Sequence, residues 1–189
     1  MKPVGHCIRR AALWGRPDEV GWAAVYLASD EAGIVAGVTY NPVSDEMFTA
    51  EKGSGAFLNN KRLRVGARPD IREALVAYEL PSRGMTDHAR SRAEIATLQD
   101  KVIGLRSLGS TALGLAYIAA GRLDGFLCRD LKPWDIAGGA LIVEEAGGRI
   151  TNYDGEAFSS RGRQVLASNT RLHTQLVEVI HDFYRDGRV

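Results

Sequence analysis

Two cysteines, Cys7 and Cys128, make neither a disulfide framework nor a metal-binding spacing. That excludes the small stapled domains and points to a reducing compartment, the cytoplasm. No charge sign predominates: 24 Lys and Arg stand against 23 Asp and Glu, a formal net charge of +1. No long-range field therefore draws the chain to nucleic acid or to an anionic membrane. No stretch approaches the roughly 20 apolar residues that a membrane helix requires. Near Met1 there is no apolar core of the kind a secretory signal carries. Internal repeats and low-complexity segments are absent. So are the G-x-S-x-G elbow and the Walker loop, which leaves serine-hydrolase and nucleoside-triphosphatase chemistry without a carrier.

What is present is ordinary for a soluble chain. Hydrophobic residues make up 45% and charged residues 25% of the 189 positions. Such a length forms one domain, or one and a half, burying about 70% of its unfolded surface. The densest basic run, KRLR at 61–64, has no interleaved aromatic residues and reads as an exposed strand or hairpin edge. His6, His88, His173 and His181 have no partner at ligand spacing and read as surface or cap histidines. Cys128 reads as a small buried hydrophobe.

Along the chain, residues 1–19 show no clean period and form a lead-in. From residue 20 to 66 the pattern is that of strands. WAAVYLA (22–28) and IVAGVTY (34–40) flank a polar turn, Asn41-Pro42 begins another, and GAFLNNKRLRV pairs two short strands around Asn59-Asn60. The first third is thus an antiparallel meander. From 67 to 189 strands alternate with helices. ALVAY (74–78), VIGLRS (102–107), DGFLC (124–128) and VLAS (165–168) are the strands. Helices are expected from Thr86 to Leu98, from Ser110 to Gly121, after Pro133, and after Asn169-Thr170 with Leu172, Leu176, Val179 and Phe183 on one face. This alternation predicts an α/β half with helices covering a sheet, and a ligand crevice where strand-to-helix turns gather on one edge.

Two segments carry chemistry. In LKPWDIAGGALIVEEAGG (131–148), Pro133 suits a first helical position, and Asp135 in the first turn faces the positive end of the macrodipole, where it can hold a cation. Gly138-Gly139 within the helix costs about 1 kcal/mol per residue relative to alanine. Such a pair implies that the helix backbone lies very close to a neighbour. Gly147-Gly148 supplies the stop. In LRSLGSTALGLAYIAAGRLDGF (105–126), Gly109-Ser110-Thr111 sits where a strand hands over to a helix. Free N–H groups there favour an anion, although Ser110 as a plain helix cap explains the same residues. Leu113, Ala116, Tyr117 and Ala120 are core packing.

WDIAGGALIVEEAGG (134–148) resembles the C-terminal signature of the inositol monophosphatase family of magnesium-dependent phosphatases. DEMFTAEKGSGAFLNNKRLRV (45–65) and the Gly109 segment resemble the same family in the same order, from about Gly21 to Gly155. The resemblance implies a layered sugar-phosphatase-like α/β fold, an N-terminal antiparallel meander remnant followed by the α/β half. It implies Asp135 as a metal ligand that also contacts substrate, and Gly109, Ser110 and Thr111 as a turn that contacts substrate hydroxyls or phosphate. The cofactor would be Mg, and the partner a small phosphate monoester such as an inositol phosphate or a related polyol phosphate.

The sequence also departs from the family pattern. The family's Glu-Glu pair and D-P-[LI]-D-G-T, which supply most metal carboxylates, have no counterpart before the meander; Glu144-Glu145 lies in a different motif. Where inositol-hydrolysing relatives carry a glutamate, this chain has Cys128, a poor acceptor for hydroxyl groups. Two readings follow. One is an N-terminally truncated, magnesium-dependent phosphomonoesterase in which Asp135 is the remaining metal ligand and no catalytic residue is legible. The other is a catalytically inactive truncated homologue, acting as a binding or partner subunit or the product of a decaying gene. Loss of N-terminal helices would bare one face of the meander, so self-association as a homo-oligomer is expected. No nucleic-acid or membrane partner is expected.

Overall fold

The computed structural model describes residues 23–29, 33–80, 88–159, 162–185 and 187. The lead-in at 1–19, with His6 and Cys7, and the expected Thr86 cap lie outside them. Where β-branched and aromatic residues first gather, β1 (Ala23–Ser29), β2 (Gly33–Asn41), β3 (Glu46–Glu51), β4 (Gly55–Leu58) and β5 (Lys61–Arg62) form an antiparallel meander in chain order. The β4–β5 hairpin turns on Asn59 and Asn60 at φ 45° and 65°, the left-handed geometry that a two-residue hairpin turn requires. KRLR is the edge expected: Lys61, Arg62 and Arg64 are exposed and Leu63 is buried. Charges on an edge strand discourage further strand addition.

The second sheet contains β6 (Leu75–Glu79), β7 (Gly104–Arg106), β8 (Gly125–Arg129), β9 (Arg149–Thr151) and β10 (Gln164–Ser168), in the order β7-β6-β8-β10-β9. β6 runs parallel to both β7 and β8, while β10 is antiparallel to β8 and β9. The carboxyl ends of β6, β7 and β8 therefore share one edge. The sequence pattern does not show β9, because three residues are too few for a period of two to register. Its pairing with β10 makes it a strand.

Helix α1 is His88–Gln99, α2 is Thr111–Ala119, α3 is Pro133–Glu145 and α4 is His173–Arg185. α2 and α3 lie between the two sheets, and α1 and α4 cover the far face of the second. Ile136 through Val143 of α3 are all buried, as expected for a helix apolar on every side. α4 has one covered face, and it differs from expectation at one position. Leu172, Leu176, Ile180 and Phe183 are buried, whereas Val179 is only partly so, because the i, i+4 row continues through Ile180. His173 also departs from the surface or cap role. It is 1% exposed, with Thr151 Oγ1 and Ser168 Oγ each 2.9 Å from its ring nitrogens.

The glycine pair of α3 serves close packing on two sides. A Cβ on Gly37 of β2 would lie 3.0 and 3.1 Å from the carbonyl carbon and Cα of Gly138, and one on Gly139 would lie 2.8 Å from Leu115 Cβ of α2. The carboxylate of Glu145, at the end of α3, accepts from Gly53 N (2.7 Å) and Gly55 N (2.8 Å) and ties the β3–β4 turn to the helix. The first sheet is thereby fixed on the layer that carries Asp135.

Candidate active site

The shared edge of β6, β7 and β8 collects the strand-to-helix turns. β7 leads into α2 through residues 107–110, and β8 leads into α3 through residues 130–132. Strand order reverses about β6, since the chain goes from β6 to β7 on one side and then crosses to β8 on the other. Crevices at such reversals are where α/β sheets bind ligands.

At the first turn, Gly109 has φ 71°, and a Cβ there would meet nothing within 4 Å. The turn is open on its outer side, and the positive φ favours glycine. Ser110 is the N-cap of α2, its Oγ accepting from Leu113 N (3.3 Å), and it is buried. Its hydroxyl is thus engaged in capping. Thr111, half-buried, is the first residue of the helix.

At the second turn, Pro133 opens α3 and Asp135 occupies the third helical position. Lys132 stands at the N-cap without a side-chain acceptor. Asp135 compensates: its Oδ2 accepts from Lys132 N at 3.1 Å, which fixes the carboxylate at the helix mouth. Oδ1 accepts no hydrogen bond among the described residues. The Lys132 ammonium lies 5.6 Å from the centre of the Trp134 ring, which is exposed.

Cys128 joins the two turns. It lies on β8, and alternation along that strand directs Cys128 to the α2–α3 side and Leu127 and Arg129 to the other. Burial pushes the Cys128 thiol up to about 12, a hydrogen bond from Thr111 acts in the opposite sense, and the negative charges of Glu79 and Asp135 add to the rise. The buried sulfur donates to Arg129 O at 3.5 Å, at the end of the strand that leads into the Asp135 turn. The thiol is inert at neutral pH.

Glu79, the last residue of β6, is the site residue that the sequence did not reveal. It is 5% exposed, and its carboxylate accepts from Ser107 Oγ (2.9 Å), Leu108 N (2.5 Å) and Gly109 N (3.0 Å). It moulds the Gly109 turn from behind. A hint existed: a lone acid at the end of an otherwise apolar strand, ALVAYE, is costly to bury without partners.

The donor set does not fit a metal cluster held by protein alone. Among the described residues no group of three or more His, Cys, Asp or Glu is placed to share an ion. Both oxygens of Glu79 are engaged with the turn, and Asp135 is a single carboxylate with one oxygen engaged. Among the described residues no helix is long and apolar enough to cross a membrane.

Residues 20–184 match the model of the inositol monophosphatase family. The inositol-1-monophosphatase of Caulobacter vibrioides is 44% identical over 156 residues, spanning 82% of this chain and 61% of that protein. The fructose-1,6-bisphosphatase/inositol-1-monophosphatase of Thermotoga maritima is 34% identical over 160 residues, spanning 84% and 60%. Among solved structures, the extragenic suppressor protein SuhB of Bartonella henselae superposes with a TM-score of 0.79 at 40% identity, covering 85% of this chain and 62% of that one. The chain spans about three fifths of the length of the curated relatives it matches.

Proposed function

The chain belongs to the inositol monophosphatase family, and from that premise we propose that it acts on a small phosphate monoester, with inositol 1-phosphate or a related polyol phosphate as substrate and hydrolysis as the reaction. The observation that carries this reading is that the Gly109 turn, held by Glu79, and Asp135 at the mouth of α3 follow β7 and β8 at the edge where the strand order reverses. In it the Gly109–Thr111 turn offers backbone N–H groups at the mouth of α2 to the phosphate, with the Thr111 hydroxyl beside them. Glu79 is a positioning residue that holds those groups in place. Asp135 contacts a substrate hydroxyl and is the ligand through which the site would meet a magnesium ion. A magnesium ion takes six oxygens and accepts one or two protein carboxylates when phosphate and water complete the set. One carboxylate does not make a two-ion clamp. Ser110 contributes its backbone, its side chain being the cap.

Family membership favours this reading over that of an inactive binding subunit. A cytoplasmic setting suits the free, buried thiol of Cys128. Self-association is also part of the reading. Val38, Tyr40, Thr49 and Phe57 stay partly exposed on the face of the first sheet turned away from α3, and Met47 is exposed. Size-exclusion chromatography with light scattering checks it, a monodisperse monomer being the contrary result.

The test of function is phosphate release from inositol 1-phosphate with magnesium present. Turnover above background is expected, falling at least about tenfold in Asp135→Asn, which is ~1.4 kcal/mol of transition-state stabilisation. A folded protein with no turnover would transfer the case to the inactive-homologue reading.

A further inference from the structure

The same sheet edge has a second recess on the opposite face. Alternation along β8 turns Cys128 toward α2 and α3, and it turns Arg129 toward α1 and α4. There a cavity of about 390 Å³ is walled by Arg90 of α1, Arg129 and Asp130 at the end of β8, Asn152 after β9, and Arg163 and Gln164 at the start of β10. This is the size range of small-molecule sites, yet no apolar side chain lines it. Three guanidinium groups, permanently charged, face one carboxylate. That carboxylate, Asp130, is ion-paired to Arg163 at 2.7 Å.

Arg129 is 8% exposed. Its Nη2 is held from behind by Tyr184 and by Glu94, the latter at 3.1 Å. Its Nε is buried and has no hydrogen-bond partner among the described residues. A buried guanidinium with an unmet donor is costly, and an anion in the cavity it lines offsets that cost through its charge. Arg163 is two-thirds exposed on its side chain and can swing to a ligand while keeping Asp130 as its neighbour.

We propose that this cavity is a second oxyanion site, distinct from the Gly109–Thr111 turn, which takes a phosphate group through the Arg129 and Arg163 guanidinium groups and the Gln164 amide. Guanidinium forks match phosphate geometry, and the polar walls suit a hydrated ligand, either free phosphate or the head of a small phosphate ester. The site does not depend on the proposed hydrolytic reaction.

Calorimetric titration of inorganic phosphate, and separately of inositol 1-phosphate, into the full chain in EDTA tests it, because chelation removes any metal contribution at Asp135. Saturable binding is expected, weakened about tenfold or more by Arg163→Gln and by Gln164→Leu, as for loss of a hydrogen bond to a charged group. Arg129→Lys, which keeps the charge opposite Glu94 but deletes the guanidinium fork, is expected to weaken it as well. Thr111→Val, which alters only the Gly109–Thr111 turn, should leave in place the phosphate binding that Arg163→Gln weakens. The ratio of the two affinities tells free phosphate from an ester. Absence of saturable binding, or binding lost in Thr111→Val yet retained in Arg163→Gln and Arg129→Lys with all variants folded, overturns the proposal.

Discussion

Replacing Glu79 tests whether the candidate site is built as described. Its carboxylate accepts three hydrogen bonds, from Ser107 Oγ, Leu108 N and Gly109 N, at 2.9, 2.5 and 3.0 Å. The three donors do not lose equally when it is removed. Ser107 and Gly109 are exposed and can turn to water, whereas Leu108 is half-buried and packs on the core. A buried donor left unsatisfied costs about 1–3 kcal/mol, and a hydrogen bond to a charged acceptor is worth about 1.5–3 kcal/mol. Most of one such loss plus part of the others gives about 2–4 kcal/mol for Glu79→Ala. Glu79→Gln keeps the shape and one carbonyl oxygen and should cost about 1–2 kcal/mol. Urea unfolding followed by circular dichroism reads the stability of both, and calorimetry with inositol 1-phosphate reads the turn. Glu79→Gln should stay folded and bind the ester more weakly than the parent chain, because Gly109 N–H and its neighbours are no longer held from behind. A cost below about 1 kcal/mol for Glu79→Ala, or ester binding indifferent to Glu79→Gln, refutes the positioning role.

Three further outcomes follow from the same geometry. Gly37→Ala places a methyl group against the backbone of Gly138, which no side-chain rotation can relieve, so it should cost about 1–3 kcal/mol or more and lower the melting temperature; an unchanged melt contradicts the close approach. Burial holds the His173 imidazole down to about 4 from its ordinary 6.5, with the charge of Arg149 acting in the same sense. Below pH 6.5 the unfolded state takes up a proton that the folded state refuses, so stability is full above that value and falls with pH until about 4. At pH 5 the loss is about 2 kcal/mol, read as a drop in urea midpoint that flattens in His173→Gln; equal pH dependence in both proteins would count against it. Cys128, with its thiol pushed up to about 12 by burial, should resist a thiol reagent at pH 8 in a Cys7→Ser background and react on unfolding, whereas rapid labelling of the native chain would show an accessible thiolate.

The sequence by itself determined what depends on local spacing. The meander, the Asn59-Asn60 hairpin, the helices after Ser110 and Pro133, and the place of Asp135 at a helix mouth all follow from periodicity and turn chemistry acting over a few residues. The glycine pair of α3 announced a close neighbour without saying which; the structure supplies β2 on one side and α2 on the other. What only the tertiary structure decided is what comes together across the sheet. β9 is a strand because β10 pairs with it, and His173 is a core residue because Thr151 and Ser168 face both of its ring nitrogens. Glu79 lies 30 residues from the Gly109 that it holds. Cys128 and Arg129 are neighbours in sequence, yet the alternation of a fully buried strand sends them to opposite faces, toward two different recesses. Local pattern fixes which elements form, because backbone hydrogen bonds and side-chain period act at short range. The sites need groups distant in the chain, and only the pairing of strands and the packing of layers brings those within bonding distance.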